Sequence, residues 1–190
     1  MRIQIHRLLE RTAMAGPGQR FCIWVQGCSR HCEGCMARET WPPQGGTPMD
    51  TDALFARIVK ADIEGITFLG GEPFGQAKAA AALAGQARAA GLSVVTFTGF
   101  TYEELLASGE ARALRLLDAT DLLIDGPYIQ AQSDLSRPWV GSANQRYRFL
   151  TGRYNENDLA TPNRIEVRIA RDGTALVNGM GDFSEIKTLL

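Results

Sequence analysis

The sequence predicts an α/β fold in which parallel strands and helical crossovers form an open, partial (β/α) barrel. Strand-like and helical segments alternate from about residue 20 to residue 150, which is typical of a parallel sheet. The chain has 190 residues, whereas a full eight-unit barrel usually needs about 250. We therefore expect a single domain over residues 1–190, with a core of about 16–150 and a short β-rich extension of about 151–190.

The first part of the chain predicts three strands and one helix. Residues 1–9 favour an additional edge strand because they begin with alternating apolar and polar side chains. Residues 20–26 are rich in Ile, Val and aromatic side chains and predict the first core strand. The turn Trp41-Pro42-Pro43 and a helix over about 52–61 separate it from a short buried strand at 64–69.

The second part continues the alternation. Residues 77–90 predict an alanine-rich helix that ends at Gly91. A strand, a helix and two further strands follow, at 92–97, 102–117, 121–124 and 146–150. In the extension, strands at 164–169 and 174–177 are joined by the hairpin signal Asp172-Gly173.

Composition narrows the class of protein. The chain carries 20 basic and 21 acidic residues, so its overall charge favours neither nucleic acid nor a membrane surface as a partner. The amino terminus lacks the apolar block of a secretory signal, and no apolar run reaches membrane-spanning length. We therefore expect a cytoplasmic protein without nucleic-acid or membrane partners.

Unusual residues follow four of the predicted strands. They lie in the segments Cys28 to Cys35, Gly70-Gly71-Glu72-Pro73, Thr98-Gly99-Phe100 and Asp125-Gly126-Pro127. In parallel α/β folds the loops after the carboxyl ends of the strands share one rim, where ligands bind. The sequence therefore predicts that these segments converge on one site.

The cysteine loop predicts a metal site. Cys28, Cys32 and Cys35 form a Cys-x3-Cys-x2-Cys cluster. Three such thiolates can hold a cubane iron–sulfur cluster through three of its irons, whereas ordinary electron-transfer clusters take four cysteines. The fourth iron would then be open to a ligand that is not protein. Two disulfides fit poorly, because three of the four cysteines crowd into one loop of a protein expected in a reducing compartment.

Zinc is the alternative metal. Its fourth ligand would be His31 or Cys22. His31 is adjacent to Cys32, which is an awkward position for chelating the same ion. Cys22 lies inside a predicted strand, where cysteine is usually a small buried hydrophobic residue.

The Gly70-Gly71-Glu72-Pro73 turn has two interpretations. The two glycines allow a backbone to approach a ligand closely, Glu72 could accept from an ammonium group, and Pro73 fixes the exit of the turn. Alternatively, this is a strand-to-helix turn in which Glu72 lies near a helix N-terminus, where the helix dipole favours a carboxylate.

The cysteine spacing and this turn together resemble the radical S-adenosylmethionine enzymes. The segment Gly16-Pro17-Gly18-Gln19-Arg20 and the run from Ile23 to Cys28 are similar to the glycyl-radical-activating branch. Within that branch, three further segments resemble the activating proteins of anaerobic ribonucleotide reductase and their close relatives. These segments are Thr98-Gly99-Phe100, Asp125-Gly126-Pro127 and the run from Gly141 to Arg146.

The resemblance implies a fold of the radical S-adenosylmethionine type and two cofactors. Cys28, Cys32 and Cys35 would hold a [4Fe-4S] cluster, and S-adenosylmethionine would chelate its open fourth iron. The backbone of residues 34–36 would lie beside the nucleoside, and Gly71 and Glu72 would meet the methionine amino group. The implied cofactor-binding set is Gly34, Cys35, Met36, Gly70, Gly71, Glu72, Pro73, Thr98 and Gly99. No catalytic residue beyond the cluster is implied.

The implied reaction is reductive cleavage of S-adenosylmethionine to a 5′-deoxyadenosyl radical, which abstracts hydrogen from a glycine of a partner enzyme. Implied partners are a glycyl-radical enzyme subunit and a flavodoxin- or ferredoxin-type reductant. A second hypothesis keeps the chemistry but makes the substrate a ribosomal peptide or a small molecule such as a deazapurine precursor. A third is a non-enzymatic zinc-binding module.

Overall fold

A computed structural model describes residues 1–181, so the predicted domain limit at residue 190 lies outside the described residues. The strands are β1 (Arg2–Thr12), β2 (Arg20–Val25), β3 (Thr47–Asp50), β4 (Gly65–Gly70), β5 (Ser93–Phe97), β6 (Leu122–Asp125), β7 (Arg146–Phe149), β8 (Ile165–Ile169) and β9 (Ala175–Gly179). The α-helices are α1 (Thr51–Ile58), α2 (Ala77–Ala89), α3 (Tyr102–Ala107) and α4 (Ala111–Asp118). No helix within residues 1–181 is both long and apolar enough to cross a membrane.

A seven-stranded sheet forms the centre, in the order β3-β1-β2-β4-β5-β6-β7. Strands β2, β4, β5 and β6 are parallel neighbours, which confirms a mixed α/β fold with a mostly parallel central sheet. At the two sides, β1, β3 and β7 pair antiparallel. The observed sheet has two edges, β3 and β7, and β8 and β9 form a separate two-stranded sheet.

Two strand predictions were wrong in placement. The first strand is not the edge of the sheet, because β3 pairs with its outer side. The β3 segment gave no strand signal, since it is four residues long and contains Pro48, a residue tolerated mainly on edge strands. Strand β7 was expected to extend the parallel sheet but pairs antiparallel with β6. The intervening residues form only the short 3₁₀ turn Gln130–Gln132, too little for the crossover that parallel neighbours need.

The predicted helix at 102–117 is two helices. Helix α3 begins with a capping box, in which the Thr101 side chain and the Glu104 side chain each accept from the other's backbone N–H. The chain then leaves the helix at Gly109, whose φ of +62° is left-handed. Glycine adopts this conformation without the steric penalty other residues incur, so it ends α3 before α4 begins.

The two faces of β2 have different roles. Phe21, Ile23 and Val25 pack in the core with α1 and α2, where burial of each large side chain contributes about 1.5–3 kcal/mol. Cys22 and Trp24 lie on the opposite face, in a smaller cluster with Leu9 and Ala15. This second face of the sheet is the one that borders the cavities described below.

The β8–β9 hairpin packs against the end of β1. Its predicted turn is confirmed, with Gly173 at φ +84° and the Thr174 N–H donating to the Asp172 carboxylate over 2.9 Å. The buried Thr12 hydroxyl donates to Glu166 Oε2 over 2.7 Å and accepts from Asn178 Nδ2 over 3.2 Å. One hydroxyl thus connects both hairpin strands to the central sheet.

We expect Thr12→Val to loosen the hairpin without unfolding the central sheet. Valine has nearly the same shape, but it leaves both hairpin side chains without their shared partner, at a cost of about 1–3 kcal/mol. Hydrogen exchange should accelerate in residues 165–179 and stay unchanged in β4 and β5. Thr174→Val, at an exposed position of the hairpin turn, is the matched control. Equal exchange in both variants would contradict this role of Thr12.

Candidate functional site

Loops from several strands converge at the carboxyl ends of β2, β4 and β5, as the sequence predicts. The cysteine loop, the Gly-Gly-Glu turn and the Thr98-Gly99 turn line one cavity of about 140 Å³. The predicted site residues that line it are Cys28, Cys32, Cys35, Gly70, Gly71, Glu72, Thr98 and Gly99. A neighbouring cleft of about 580 Å³ shares Cys35 and Gly70 with this cavity and is also lined by Gly34 and Met36. Pro73 is buried and lines neither space.

Backbone bonds hold the base of the cysteine loop. The N–H of Gly27 donates to Thr40 O over 2.7 Å, and that of Cys28 donates to Trp41 O over 3.1 Å. The Gln26 amide adds a bond from Nε2 to Pro42 O over 2.8 Å. The loop therefore returns to its own starting point, which confines the three cysteines to a short arc.

Local N–H groups face the thiols. Cys28 accepts backbone hydrogen bonds from Arg30 and His31, which partly oppose the rise in the pKa of its thiol caused by burial. Cys35 Sγ accepts from the Ala37 N–H over 3.4 Å. All three loop cysteines are free and partly exposed. Hydrogen bonds to the charged form of a group favour that form, so these N–H groups offset part of the cost that burial imposes on a Cys28 thiolate.

The structure argues against the predicted zinc alternative. His31 stacks on Trp41, with ring centroids 4.7 Å apart. Cys22 is fully buried in β2, and desolvation raises its thiol pKa to about 12. Within residues 1–181, no three His, Cys, Asp or Glu side chains converge closely enough to hold one ion. A cubane cluster is held through separate irons and does not need such convergence, so the three free thiols fit a cluster better than zinc.

The Gly-Gly-Glu turn lies directly against the cysteine loop. The N–H of Gly71 donates to Val25 O over 2.9 Å, and that of Glu72 donates to Gly27 O over 2.8 Å. Gly70 has a φ of +94°, and a Cβ on Gly71 would overlap the carbonyl oxygen of Gly27. Both glycines are therefore required for the close packing of two loops that line the same cavity.

Glu72 has the capping role of the second interpretation and also lines the cavity. Oε1 accepts from the Phe74 N–H over 3.0 Å and from Thr98 Oγ1 over 2.9 Å, and Oε2 accepts from the Gly99 N–H over 2.9 Å. It is thus the N-cap of the 3₁₀ turn Pro73–Gln76, as the second interpretation expected. A carboxylate has about four acceptor positions, so one remains beside the cavity that Glu72 lines.

Burial sets the electrostatics of Glu72. Its residue is 1% exposed, and desolvation raises the pKa of its carboxyl to about 7, although its hydrogen bonds and Arg30 oppose the shift. A cation in the cavity would favour the ionised form and lower this pKa. The site can therefore gain from binding an ammonium group.

Arg30 makes contacts at the site that the sequence did not predict. Its Cζ lies 4.8 Å from the centroid of the Phe100 ring, and Nη1 lies 3.8 Å from Glu104 Oε1. The side chain also packs over Gly99, where a Cβ would come within 2.9 Å of it. Arg30 therefore joins the cysteine loop to the turn after β5. A lone arginine between two cysteines gives no sequence signal for this contact.

The remaining rim segments hold each other in place. Arg146 Nη2 lies 2.5 Å from the buried Asp125 carboxylate and 2.7 Å from Glu103. The Gln145 side chain accepts from the Gly141 N–H over 2.8 Å and donates to Gly126 O over 3.2 Å. Gln145 also lines both cavities. These contacts give the segments after β6 and before β7 a structural role at the rim.

Comparisons with known proteins find a family model and a solved structure that each match part of this chain. A model of the 4Fe-4S single cluster domain matches residues 14–148. The solved structure of QueE from Escherichia coli superposes with a TM-score of 0.45 at 20% identity, over 53% of this chain and 54% of that one, which is too weak to assign a function.

Curated relatives match most of their own length. The anaerobic ribonucleoside-triphosphate reductase-activating protein of Vibrio cholerae is 33% identical over 149 residues, covering 74% of this chain and 94% of the relative. The protein of the same name from Enterobacteria phage T4 is 31% identical over 138 residues, covering 69% and 84%. That from Escherichia coli K12 is 30% identical over 140 residues, covering 68% and 88%. The chain therefore belongs to the 4Fe-4S single cluster domain family and, within it, to the anaerobic ribonucleoside-triphosphate reductase-activating proteins.

Proposed function

We propose that this protein is a radical S-adenosylmethionine oxidoreductase that installs a glycyl radical on an anaerobic ribonucleoside-triphosphate reductase. The observation that carries the proposal is the shared cavity of three free cysteines and Glu72, in a chain of this family. When bound, the cluster and S-adenosylmethionine supply one-electron reductive cleavage of a carbon–sulfur bond and abstraction of a glycine hydrogen.

The residues of the chain bind and orient these groups. Cys28, Cys32 and Cys35 would hold a [4Fe-4S] cluster, with an iron left for S-adenosylmethionine. The remaining acceptor position of Glu72 receives the methionine ammonium group, and Gly71 keeps the wall of the cavity thin enough for close approach. Thr98 and Gly99 act through Glu72, because their donors hold its carboxylate in place.

The larger cleft receives the rest of the cofactor and the substrate. Gly34 and Met36 line it next to Cys35, which places them beside the nucleoside in this proposal. Pro73, buried at the start of the 3₁₀ turn, fixes the exit of the Gly-Gly-Glu turn. The central sheet acts as an open partial (β/α) barrel of one domain, so that a macromolecular glycine segment can enter. A cytoplasmic flavodoxin or ferredoxin supplies the electron.

Electron paramagnetic resonance of the reductase tests the proposal. The protein is purified and its cluster reconstituted without oxygen, then incubated with the reductase of the same organism, S-adenosylmethionine and a chemical reductant. A glycyl doublet on the reductase is the expected result. Formation of 5′-deoxyadenosine without a doublet would reject this substrate and retain the chemistry. A colourless protein with one tightly held zinc would reject both.

We expect Glu72→Gln to weaken S-adenosylmethionine binding at least tenfold while the iron content is retained. The substitution removes the negative charge that faces the ammonium group, and tenfold corresponds to about 1.4 kcal/mol. Equilibrium dialysis on reconstituted protein measures the affinity. Thr98→Val is the matched control, because it removes one donor to the same carboxylate and leaves the charge. An unchanged affinity in Glu72→Gln would contradict the assigned role.

A further inference from the structure

Within residues 1–181, Arg7 in the wall of the larger cleft is a cation without an ion-pair partner. Among these described residues it is the only basic one that lines the cleft, and Glu39 is the only acidic one. Arg7 lies on β1, with its Cζ 3.9 Å from the centroid of the Trp24 ring. Its Nε is buried and has no hydrogen-bond partner in the described part of the chain. Among residues 1–181, no carboxylate lies within 4.0 Å of its guanidinium nitrogens.

The placement of Arg7 leaves its charge available to a ligand. Stacking on Trp24 occupies one face of the planar guanidinium and does not use its two terminal nitrogens, which could meet a bidentate acceptor in the cleft that Arg7 lines. Burial lowers the pKa of Arg7, but a guanidinium remains charged at neutral pH. Glu39 partly opposes the fall in the pKa of Arg7 but forms no ion pair with it; its exposed carboxylate lies 4.0 Å from His6 Nε2. A partly desolvated cation of this kind favours an incoming anion.

We propose that Arg7 binds a carboxylate of the partner polypeptide segment that enters the cleft. The proposal rests on the proposed function and names a determinant of that partner: an aspartate, a glutamate or a free carboxyl terminus near the reacting glycine. A carboxylate matches the planar fork of the guanidinium, and the mostly apolar walls around it suit the rest of a peptide segment.

The carboxylate of S-adenosylmethionine is the other possible source. In that molecule the amino and carboxylate groups share one carbon, so both must lie close to Glu72 and the cysteines. Arg7 does not line the cavity that contains Glu72; it lines only the larger cleft. This separation favours a ligand other than the methionine group.

Kinetics of glycyl-radical formation test the proposal with the reconstituted holoenzyme and its reductase. Arg7→Gln should raise the reductase concentration for half-maximal rate at least tenfold. Affinity for S-adenosylmethionine and 5′-deoxyadenosine release without reductase should stay unchanged. Added salt should narrow the difference between wild type and variant, since it screens the charge. Arg2→Gln, at the exposed start of the same strand, makes the same charge change outside the cleft and is the control.

Other results would contradict the proposal for Arg7, the proposed function, or both. Weaker S-adenosylmethionine binding in Arg7→Gln, with an unchanged requirement for reductase, would assign Arg7 to the cofactor. A wild-type doublet with no effect of Arg7→Gln would reject this proposal alone, and absence of a doublet in wild type would reject the proposed function with it. Iron content and Trp fluorescence report whether the variant folds. If it does not, Arg7→Lys keeps the charge but not the fork, and a normal requirement for reductase in that variant would also reject bidentate binding.

Discussion

Replacing any one of Cys28, Cys32 or Cys35 by alanine is expected to remove iron from the protein and abolish cleavage of S-adenosylmethionine. A cluster held by three thiolates has no protein ligand to spare, since within residues 1–181 neither His31 nor Cys22 is placed to substitute. Iron and sulfide analysis, the visible absorbance of the reconstituted protein and a 5′-deoxyadenosine assay measure the effect. We expect iron near background and product formation below detection in each variant.

Cys22→Ala is the matched control for these variants. It removes the same atom from a fully buried position on β2, so it should cost stability through a small cavity but keep the cluster. Loss of iron from Cys22→Ala with retention in Cys28→Ala would show that the ligands are assigned wrongly. If all four variants retained as much iron as the wild type, a cysteine-bound cluster would be excluded.

The sequence predicted the site better than the edges of the fold. Cys28, Glu72 and Thr98 were placed on one rim because a parallel sheet directs the carboxyl ends of its strands to one side, and the structure brings them together. This inference needs only strand order and direction. It holds even where the boundaries of the elements shift by a residue or two.

Local exceptions explain the errors. Strand β3 forms because its backbone pairs with β1. This is a tertiary contact, and a segment of four residues that includes a proline has no sequence pattern that predicts a strand. Gly109 divides a segment that otherwise has helical periodicity. Its left-handed backbone conformation ends the helix although the neighbouring residues favour a helix. Polar contacts over long sequence distances were also invisible. Gln76, for example, donates to the carbonyls of Gln4 and Gln26, both over 2.9 Å, and so connects the first two strands.

Arg20 shows how a family motif can serve stability at a distance from the chemistry. It closes the Gly16-Pro17-Gly18-Gln19-Arg20 segment and begins β2, whereas the cysteine loop follows the other end of that strand. Its side chain is 0% exposed. Its guanidinium donates to Thr67 Oγ1 over 3.1 Å, to Ser93 Oγ over 2.5 Å and to the Tyr154 hydroxyl over 3.1 Å.

We expect Arg20→Gln to lower the free energy of unfolding by about 3–5 kcal/mol, because several buried acceptors lose their donor and each unsatisfied one costs about 1–3 kcal/mol. Glutamine is too short to reach these acceptors, and the Tyr154 hydroxyl would keep only Glu64, 2.6 Å away, and Ser93. Because domains of this size are stable by about 5–15 kcal/mol, the loss is a large fraction of the total. Anaerobic denaturant unfolding of the cluster-free protein measures it.

Tyr154→Phe is the graded control, because it removes one hydroxyl from the network and leaves the cation with its other acceptors. It should cost about 0.5–1.5 kcal/mol. If Arg20→Gln cost no more than Tyr154→Phe, the buried guanidinium would not be the centre of the network. Since the arginine lies at the opposite end of β2 from the cysteines, the fraction of Arg20→Gln that folds should still bind iron. A folded variant without iron would instead connect this motif directly to the cluster.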